Sequence, residues 1–445
     1  MTKVLILDVY PNKPFRISKD QNGGYGTAND YGDSFVLKIL NNYVKKNIDY
    51  PPLYSVYSAG QLRANGFEVE YSKTLNNKTN FDLYVLPSSI VCHETEVENV
   101  KKLNKLGKKI FVIGPFATAC PENYVKNGAK VISGEPELFF YDFKLSNFNN
   151  FENLENIIFF KSSLSLDDLH LPAWDIIFKS TTPIMSFLGK GSTIPIHASR
   201  GCPYSCVYYC TYPVQQGRKL RFRNTDNILS EMLHWNSKFG TKNFIFRDPV
   251  FSINHKHATE LLNKIAKSKI KFNICIETHL KNIDDELIKL FKKAGIKLIY
   301  VGIESGDKEV LIDSKRTTIE FDDQIKKVRE IEKNNIKVKC MYIIGLPSDN
   351  SQTCNKTIAY SRRIFSSYAQ FSVFTPYPGT PVFLEYKEKI LTKKYEDFNQ
   401  WKMIFKHASL SQKMVRSLLN KAYLTYYFNP KWIIYFITKK IFFKN

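Results

Sequence analysis

What the chain lacks narrows its class before any motif is read. No run of about 18 apolar residues occurs, so no helix is expected to cross a bilayer. The opening MTKVLILDVYPN is apolar only briefly and enters a polar, glycine-rich loop rather than a small-residue cleavage site; it reads as a strand, not a secretion signal. A disulfide framework is missing too. The eight cysteines, three of them crowded together, suit reduced thiols in a cytoplasm. Acidic residues are scarce, 42 against 64 Lys and Arg, which leaves a net charge of +22. Such an excess suits nucleic acid, anionic lipid or a phosphorylated substrate. No recognition helix or RNA-binding signature accompanies it, however, and Asn/Lys/Ile-rich stretches such as NNYVKKNIDY carry much of the charge as compositional bias. No specific nucleic-acid partner is therefore expected.

The 445 residues, 43% hydrophobic, allow two domains and a tail. Residues 1–145 alternate strand patterns (Val4–Val9, Glu68–Tyr71, Leu83–Pro87, Lys109–Ile113, Lys130–Ile132) with helical ones such as Tyr57–Asn65 and Glu94–Leu106. That alternation predicts an α/β, doubly wound parallel sheet of Rossmann-like type, with ligands at the carboxyl ends of its strands. The loop after the first strand, PFRISKDQNGGYGTANDYGDS, is long and rich in Gly, Asn and Asp; it is expected to cap a cofactor or meet the substrate. Residues 146–192 read as a linker. Within it Trp174 is expected to be a packing anchor. From 193 to 381 a second series follows, with strands expected at Ile194–Ala198, Asn243–Arg247, Phe272–Glu277, Leu298–Ile303, Lys337–Ile344 and Gln370–Thr375. Six such units fit a partial (β/α)6 barrel whose strand ends face the active site. Residues 382–445 form a helical, basic extension; Ser411–Asn445 carries seven Lys/Arg and no Asp/Glu. This tail reads either as an interfacial helix making peripheral contact with anionic lipid or as a terminal helix packed on the barrel.

The densest chemistry lies in His197–Asn224, HASRGCPYSCVYYCTYPVQQGRKLRFRN. Cys202, Cys206 and Cys210 follow a strand directly, so their sulfurs are presented at its carboxyl end. Three thiolates so spaced can hold three irons of a cubane cluster and leave the fourth open. Three ordinary loop cysteines, or a zinc site completed by His197, are the other readings; C-x3-C-x3-C is not a zinc-knuckle spacing.

At these residues the sequence resembles the radical S-adenosylmethionine (SAM) superfamily, and RGCPYSC, CTYP and GRKLRFRN are similar to its branch with an N-terminal cobalamin-binding domain. PPLYSVYSAGQLRANGFEV, FVIGPFATACPE, VISGEPE and LDDLHLPAWD extend the likeness over most of the chain. One departure stands out. The superfamily spaces its second and third cysteines by two residues, whereas Val207, Tyr208 and Tyr209 intervene here, and the extra residue is expected to bulge the loop after Cys206.

The resemblance implies a [4Fe-4S] cluster on Cys202, Cys206 and Cys210, with Tyr209 keeping the aromatic position beside Cys210. It implies SAM contacts from Gly302 and Glu304 in VGIESG, from Gly345 in IGLP and from Pro378 in FTPYPGTP. Arg247 would suit the SAM carboxylate and Asp248 its ammonium, although a routine salt bridge or turn fits the same pair. Glu277 and His279 are candidates to support the site or meet the substrate. In the first domain the strand ends with Ser88, Ser89, Gly114, Pro115, Gly134 and Glu135 would receive cobalamin; without the resemblance they are the turns any doubly wound sheet requires. The D-x-H-x-x-G motif is not present, because Asp168-Leu169-His170-Leu171-Pro172-Ala173 ends in Ala and lies in the linker, so no histidine is expected beneath the cobalt.

The activity so implied is reductive cleavage of SAM to a 5′-deoxyadenosyl radical, fed by a flavodoxin- or ferredoxin-like electron donor, with methylation of an unactivated carbon in a small-molecule or lipid-linked substrate. Ring formation, rearrangement or oxidation without net methyl transfer, and a non-catalytic cobalamin-binding module, remain open alternatives.

Overall fold

The computed structural model describes residues 2–160, 164–180, 188 and 192–442. Parts of the expected linker (161–163, 181–187, 189–191) and the last residues of the tail (443–445) lie outside the described residues.

Two parallel six-stranded sheets organise the chain. The first contains β1 (Lys3–Leu7), β2 (Glu68–Ser72), β3 (Leu83–Pro87), β4 (Lys109–Ile113), β5 (Lys130–Ser133) and β6 (Ile157–Phe159), in the order β2-β1-β3-β4-β5-β6. Its central strands are short apolar runs buried on both faces; all five residues of β3 are buried. That is the signature of parallel strands sandwiched between helices. Leu53–Ala64 and His93–Lys105 are two of the covering helices, each close to its expected span. The sixth strand, Ile157–Phe159, pairs with β5 inside the segment expected to be a linker. Farther along that segment Trp174 is fully buried, as its packing role requires.

The second sheet runs β7 (Thr193–Ile196), β8 (Asn243–Phe246), β9 (Asn273–Glu277), β10 (Ile296–Glu304), β11 (Lys337–Ile344) and β12 (Tyr368–Val373), each strand pairing in parallel with the next in sequence. Helices fill every crossover. Thr225–Phe239 is capped by Asn224 and stopped by left-handed Gly240; Asp285–Ala294 is capped by Asp284 and stopped by left-handed Gly295. Among the described residues no pairing joins β7 to β12, so the barrel stays open.

The β12 edge is covered rather than left bare. Helix Gln412–Tyr427 lies along it, and the Tyr423 hydroxyl both donates to Phe371 O at 2.9 Å and accepts from Phe371 N at 3.0 Å. Tyr427 does the same with Ala369, at 2.6 and 3.0 Å. Unpaired edge backbone is thus satisfied by phenols. Among the described residues no helix is long and apolar enough to cross a membrane.

The glycine-rich loop after β1 ties the two sheets together. Lys19, without exposure, pairs with Glu96 at 2.8 Å and Asp8 at 3.1 Å and donates to Pro87 O at 2.8 Å, all in the first sheet's layer. The adjacent Asp20 pairs with Arg247 at the end of β8 and with Arg16 at 2.9 Å. Tyr25 donates to Pro378 O at 2.5 Å, and Thr211 donates to Asn22 O at 2.8 Å.

Candidate active site

The cysteine loop leaves β7 through a fixed backbone. Asp248 accepts from the amides of Ala198 (3.0 Å) and Ser199 and from the Ser199 hydroxyl at 2.6 Å. Burial pushes its carboxyl up to about 6. Gly201 then turns at φ 90°, where a Cβ would lie 2.1 Å from Lys219 O. The extra residue after Cys206 lies in a helical turn. Ser205–Tyr208 is a short 3-10 turn, and Cys206 O accepts from both Tyr209 N (3.1 Å) and Cys210 N (3.0 Å). A spacing of four closed by an i to i+4 hydrogen bond places Cys206 and Cys210 one turn apart.

All three cysteines are free thiols and line one cavity of about 110 Å³ together with Gly302, Glu304 and Arg316. A larger space of about 190 Å³ shares Tyr209, Cys210, Tyr212, Glu277, Glu304 and Met341 with it and continues along the concave face of the second sheet. Alternate residues of the strands supply that face: Tyr300 and Glu304 from β10, Lys339, Met341 and Ile343 from β11, Gln370 and Ser372 from β12. A period of two sends the intervening residues, such as Val338 and Cys340, into the helix layer behind.

Glu304 stands at the end of β10 with φ +68°, a conformation uncommon for a side-chain-bearing residue. Its carboxylate curls back over Gly302, and a Cβ on Gly302 would lie 2.4 Å from Glu304 Oε1 and 2.8 Å from Arg316 Nη2. Arg316 is the residue that sequence reasoning missed. It donates to Gly302 O at 2.7 Å, reaches Cys206 Sγ at 3.8 Å and sits 3.7 Å from Glu304 Oε1. One buried guanidinium therefore touches a cluster-ligand candidate, a strand-end carbonyl and the carboxylate of Glu304. Burial raises the Glu304 carboxyl while Arg316 opposes the rise. Burial likewise lifts Glu277 to about 7, against the pull of Arg247 and Lys339.

Of the other expected contacts, Tyr209 and His279 line the cysteine cavity and Arg247 the larger space, while Asp248, Gly345 and Pro378 line neither. Arg247 faces these spaces but is already paired with Asp20. Asp248 lines neither space and holds the β7 exit instead. Gly345 (φ +80°) donates its amide to Asp349 at 3.0 Å, and the Pro378 carbonyl serves Tyr25; Ile343, Phe374 and Tyr377 line the cavity beside them. His279 is engaged by Thr317 O at 2.7 Å and Lys281 N at 3.0 Å. The Tyr209 hydroxyl is buried at this space with no hydrogen-bond partner among the described residues.

The donor set fits an iron–sulfur cubane. Among the described residues no three Cys, His, Asp or Glu side chains are grouped to hold a single ion; a cubane needs no such convergence, because each thiolate takes its own iron. The space beside the thiols carries a carboxylate and a guanidinium suited to a polar ligand.

The strand ends of the first sheet are different. Ser88 accepts from Ala117 N at 2.9 Å, Ser89 donates to Tyr25 O at 2.7 Å, and both are fully buried. Gly114 abuts the Tyr54 ring and Pro115 abuts Gly24. Gly134 is open, while Glu135 pairs with Arg200 and Arg221, both at 2.7 Å. The cavity at this junction, bordered by Lys19, Gly24, Glu135, His197 and Arg200, measures about 40 Å³. Roughly three waters fill such a space. As packed, with the loop over Ser89 and Pro115, it does not accept a corrin ring.

Residues 196–360 match the radical SAM superfamily. An uncharacterized methyltransferase of Pyrococcus horikoshii is 24% identical over 358 residues, 75% of this chain and 76% of that protein. The anaerobic magnesium-protoporphyrin IX monomethyl ester cyclase of Cereibacter sphaeroides is 27% identical over 247 residues, 54% of this chain and 39% of that protein. Among solved structures, the cobalamin-dependent SAM radical enzyme OxsB with aqua-cobalamin and SAM bound matches over 96% of this chain and 67% of its own at TM-score 0.66 and 13% identity. The radical SAM methyltransferase TsrM from Kitasatospora setae, with tryptophan and a SAM analogue bound, matches over 86% and 76% at TM-score 0.61 and 15% identity. At these identities the structures establish a shared fold.

Proposed function

We propose that this chain, whose residues 196–360 form a radical SAM domain, is a cobalamin-dependent radical SAM enzyme that methylates a carbon of a small-molecule substrate. The observation that carries the reading is the meeting of Cys202, Cys206, Cys210, Glu304 and Arg316 around one cavity at the carboxyl ends of an open parallel barrel. When bound, a [4Fe-4S] cluster and SAM supply the radical that makes an unactivated C–H bond reactive.

The chain's own residues position and shield that chemistry. Cys202, Cys206 and Cys210 would hold the cluster, and Arg316 beside Cys206 favours its thiolate form. Glu304 would accept hydroxyl donors of the SAM ribose, held over Gly302 by the same arginine. Tyr209 offers an unpartnered phenol to the same space. Asp248 keeps the cysteine loop in register without touching the ligand. The loop from Lys19 to Tyr25 closes the seam between the sheets. Cobalamin docking then requires this loop to move off Ser89 and Pro115.

The Cereibacter relative favours a second outcome, cyclisation without methyl transfer. The test is anaerobic incubation of the reconstituted full chain with SAM, cobalamin and a reductant. Methylation predicts both 5′-deoxyadenosine and S-adenosylhomocysteine, cyclisation predicts the first alone, and a non-catalytic module predicts neither.

A further inference from the structure

Beyond the cysteines, the concave face of the second sheet continues into a recess of about 40 Å³ between that sheet and the segment that follows the first-strand loop. It shares Arg247, Tyr300, Lys339 and Gln370 with the larger cavity, so the two adjoin along these side chains. Three cations line it: Arg16, Arg247 and Lys339. Among the described residues no carboxylate does. The nearby Asp20 is divided between Arg16 and Arg247, which leaves the recess with an excess of positive charge. Lys339 has no ion-pair partner among the described residues; its ammonium lies 4.8 Å from the Tyr300 ring centroid. Its surroundings are Arg16 and Arg247, which push its proton off, and Cys275 and Glu277, which hold it on; burial outweighs them all. A desolvated cation left without a counter-charge is costly, and a bound anion removes that cost.

We propose that this recess binds the anionic head of the substrate, a carboxylate or a phosphate, with Lys339 as its counter-charge. The inference rests on the larger cavity being the substrate site of a radical SAM enzyme. Size agrees with it. The recess admits a head group and not a whole molecule, while the 190 Å³ space toward Cys210 and Glu304 holds the body to be modified. Gln370 and the phenols of Tyr50 and Tyr300 stand ready as neutral donors.

The test is amine labelling of the cluster-loaded full chain, with Lys339 followed by peptide mass spectrometry across pH. Inorganic phosphate, acetate and chloride are compared at equal ionic strength, alongside thermal melts of wild type, Lys339→Gln and Lys339→Arg. Lys339, lowered to about 8, should label near that pH. A bound anion should slow its labelling at pH 8 by about fivefold or more, since each unit of upward shift cuts the free amine severalfold. The same anion should raise the melting temperature of wild type and Lys339→Arg but not of Lys339→Gln. Protection by phosphate alone, or by acetate alone, supports the inference and identifies the head group. Equal labelling and melting in all three salts overturns it. So does full protection by SAM alone, since the lysine would then serve the co-substrate. Labelling needs no turnover, so a failure of SAM cleavage with anion protection intact would sink the radical SAM reading and leave the anion recess standing.

Discussion

Gly302→Ala adds one methyl group where the geometry has no room for it. The new Cβ would stand 2.4 Å from Glu304 Oε1 and 2.8 Å from Arg316 Nη2, so both side chains must withdraw by close to an ångström. Withdrawal breaks the 2.7 Å bond from Arg316 to Gly302 O and disturbs the 3.8 Å contact with Cys206 Sγ. A hydrogen bond from a charged group contributes about 1.5–3 kcal/mol, which corresponds to roughly 10- to 150-fold in affinity. The methyl faces the cavity rather than the helix layer, so overpacking should cost at the low end of about 1–3 kcal/mol. The variant should therefore fold and keep its iron while its KM for SAM rises by about 10-fold or more. Iron content, far-UV circular dichroism and SAM-cleavage kinetics on anaerobically loaded protein measure the three quantities separately. A Gly302→Ala protein with wild-type SAM kinetics would refute the claim that Glu304 and Arg316 form one SAM-binding unit.

Other perturbations test other parts of the site. Arg316→Met should lower SAM affinity and also shift the cluster's reduction potential, whereas Arg316→Lys should restore charge beside Cys206 but not the bond to Gly302 O; potentiometry with kinetics reads both. Asp20→Asn removes the carboxylate shared by Arg247 and Arg16 and should speed cobalamin uptake by the apo chain, followed by visible absorbance; unchanged uptake would count against the loop as the barrier. Glu277, raised to about 7 in the fold, holds its proton below that pH and loses it above, so its contribution to stability is fully present below the unfolded value of 4.5 and is lost as pH rises through about 7. The shift bounds that loss at about 3 kcal/mol. Glu277→Gln should flatten the corresponding fall in melting temperature between pH 5 and 8; Asp248 titrates in the same direction but is common to both proteins, so their difference isolates Glu277.

Much of the fold could be read from local pattern. Lys109–Ile113 is legible to the residue because a parallel strand buried on both faces is a continuous apolar run, and Lys337–Ile344 because its alternate residues are buried between turn residues. Ile157–Phe159 escaped because it is a three-residue edge strand, half-exposed and without a long apolar run of its own. The site was legible where a motif is compact, as in the cysteine loop and VGIESG. It was not legible where partners lie far apart in sequence. Lys19 finds Glu96, Asp20 finds Arg247 and Tyr25 finds Pro378, and no local rule connects them. Arg316 looked like one more cation in a basic chain; a clue was its place on the turn after the helix that follows the Glu304 strand end. Lys339 also carried a signal, since Lys339, Met341 and Ile343 alternate on one face of a strand, and a lysine on an inward face has to meet a cavity or a counter-charge.

The most direct test of the whole account is electron paramagnetic resonance of the anaerobically reconstituted, reduced full chain before and after SAM is added. The arrangement of Cys202, Cys206 and Cys210 predicts about four irons per chain and a reduced-cluster signal that SAM perturbs, lost when any one of the three is replaced by alanine. A signal indifferent to SAM, or one that survives loss of all three cysteines, would contradict it.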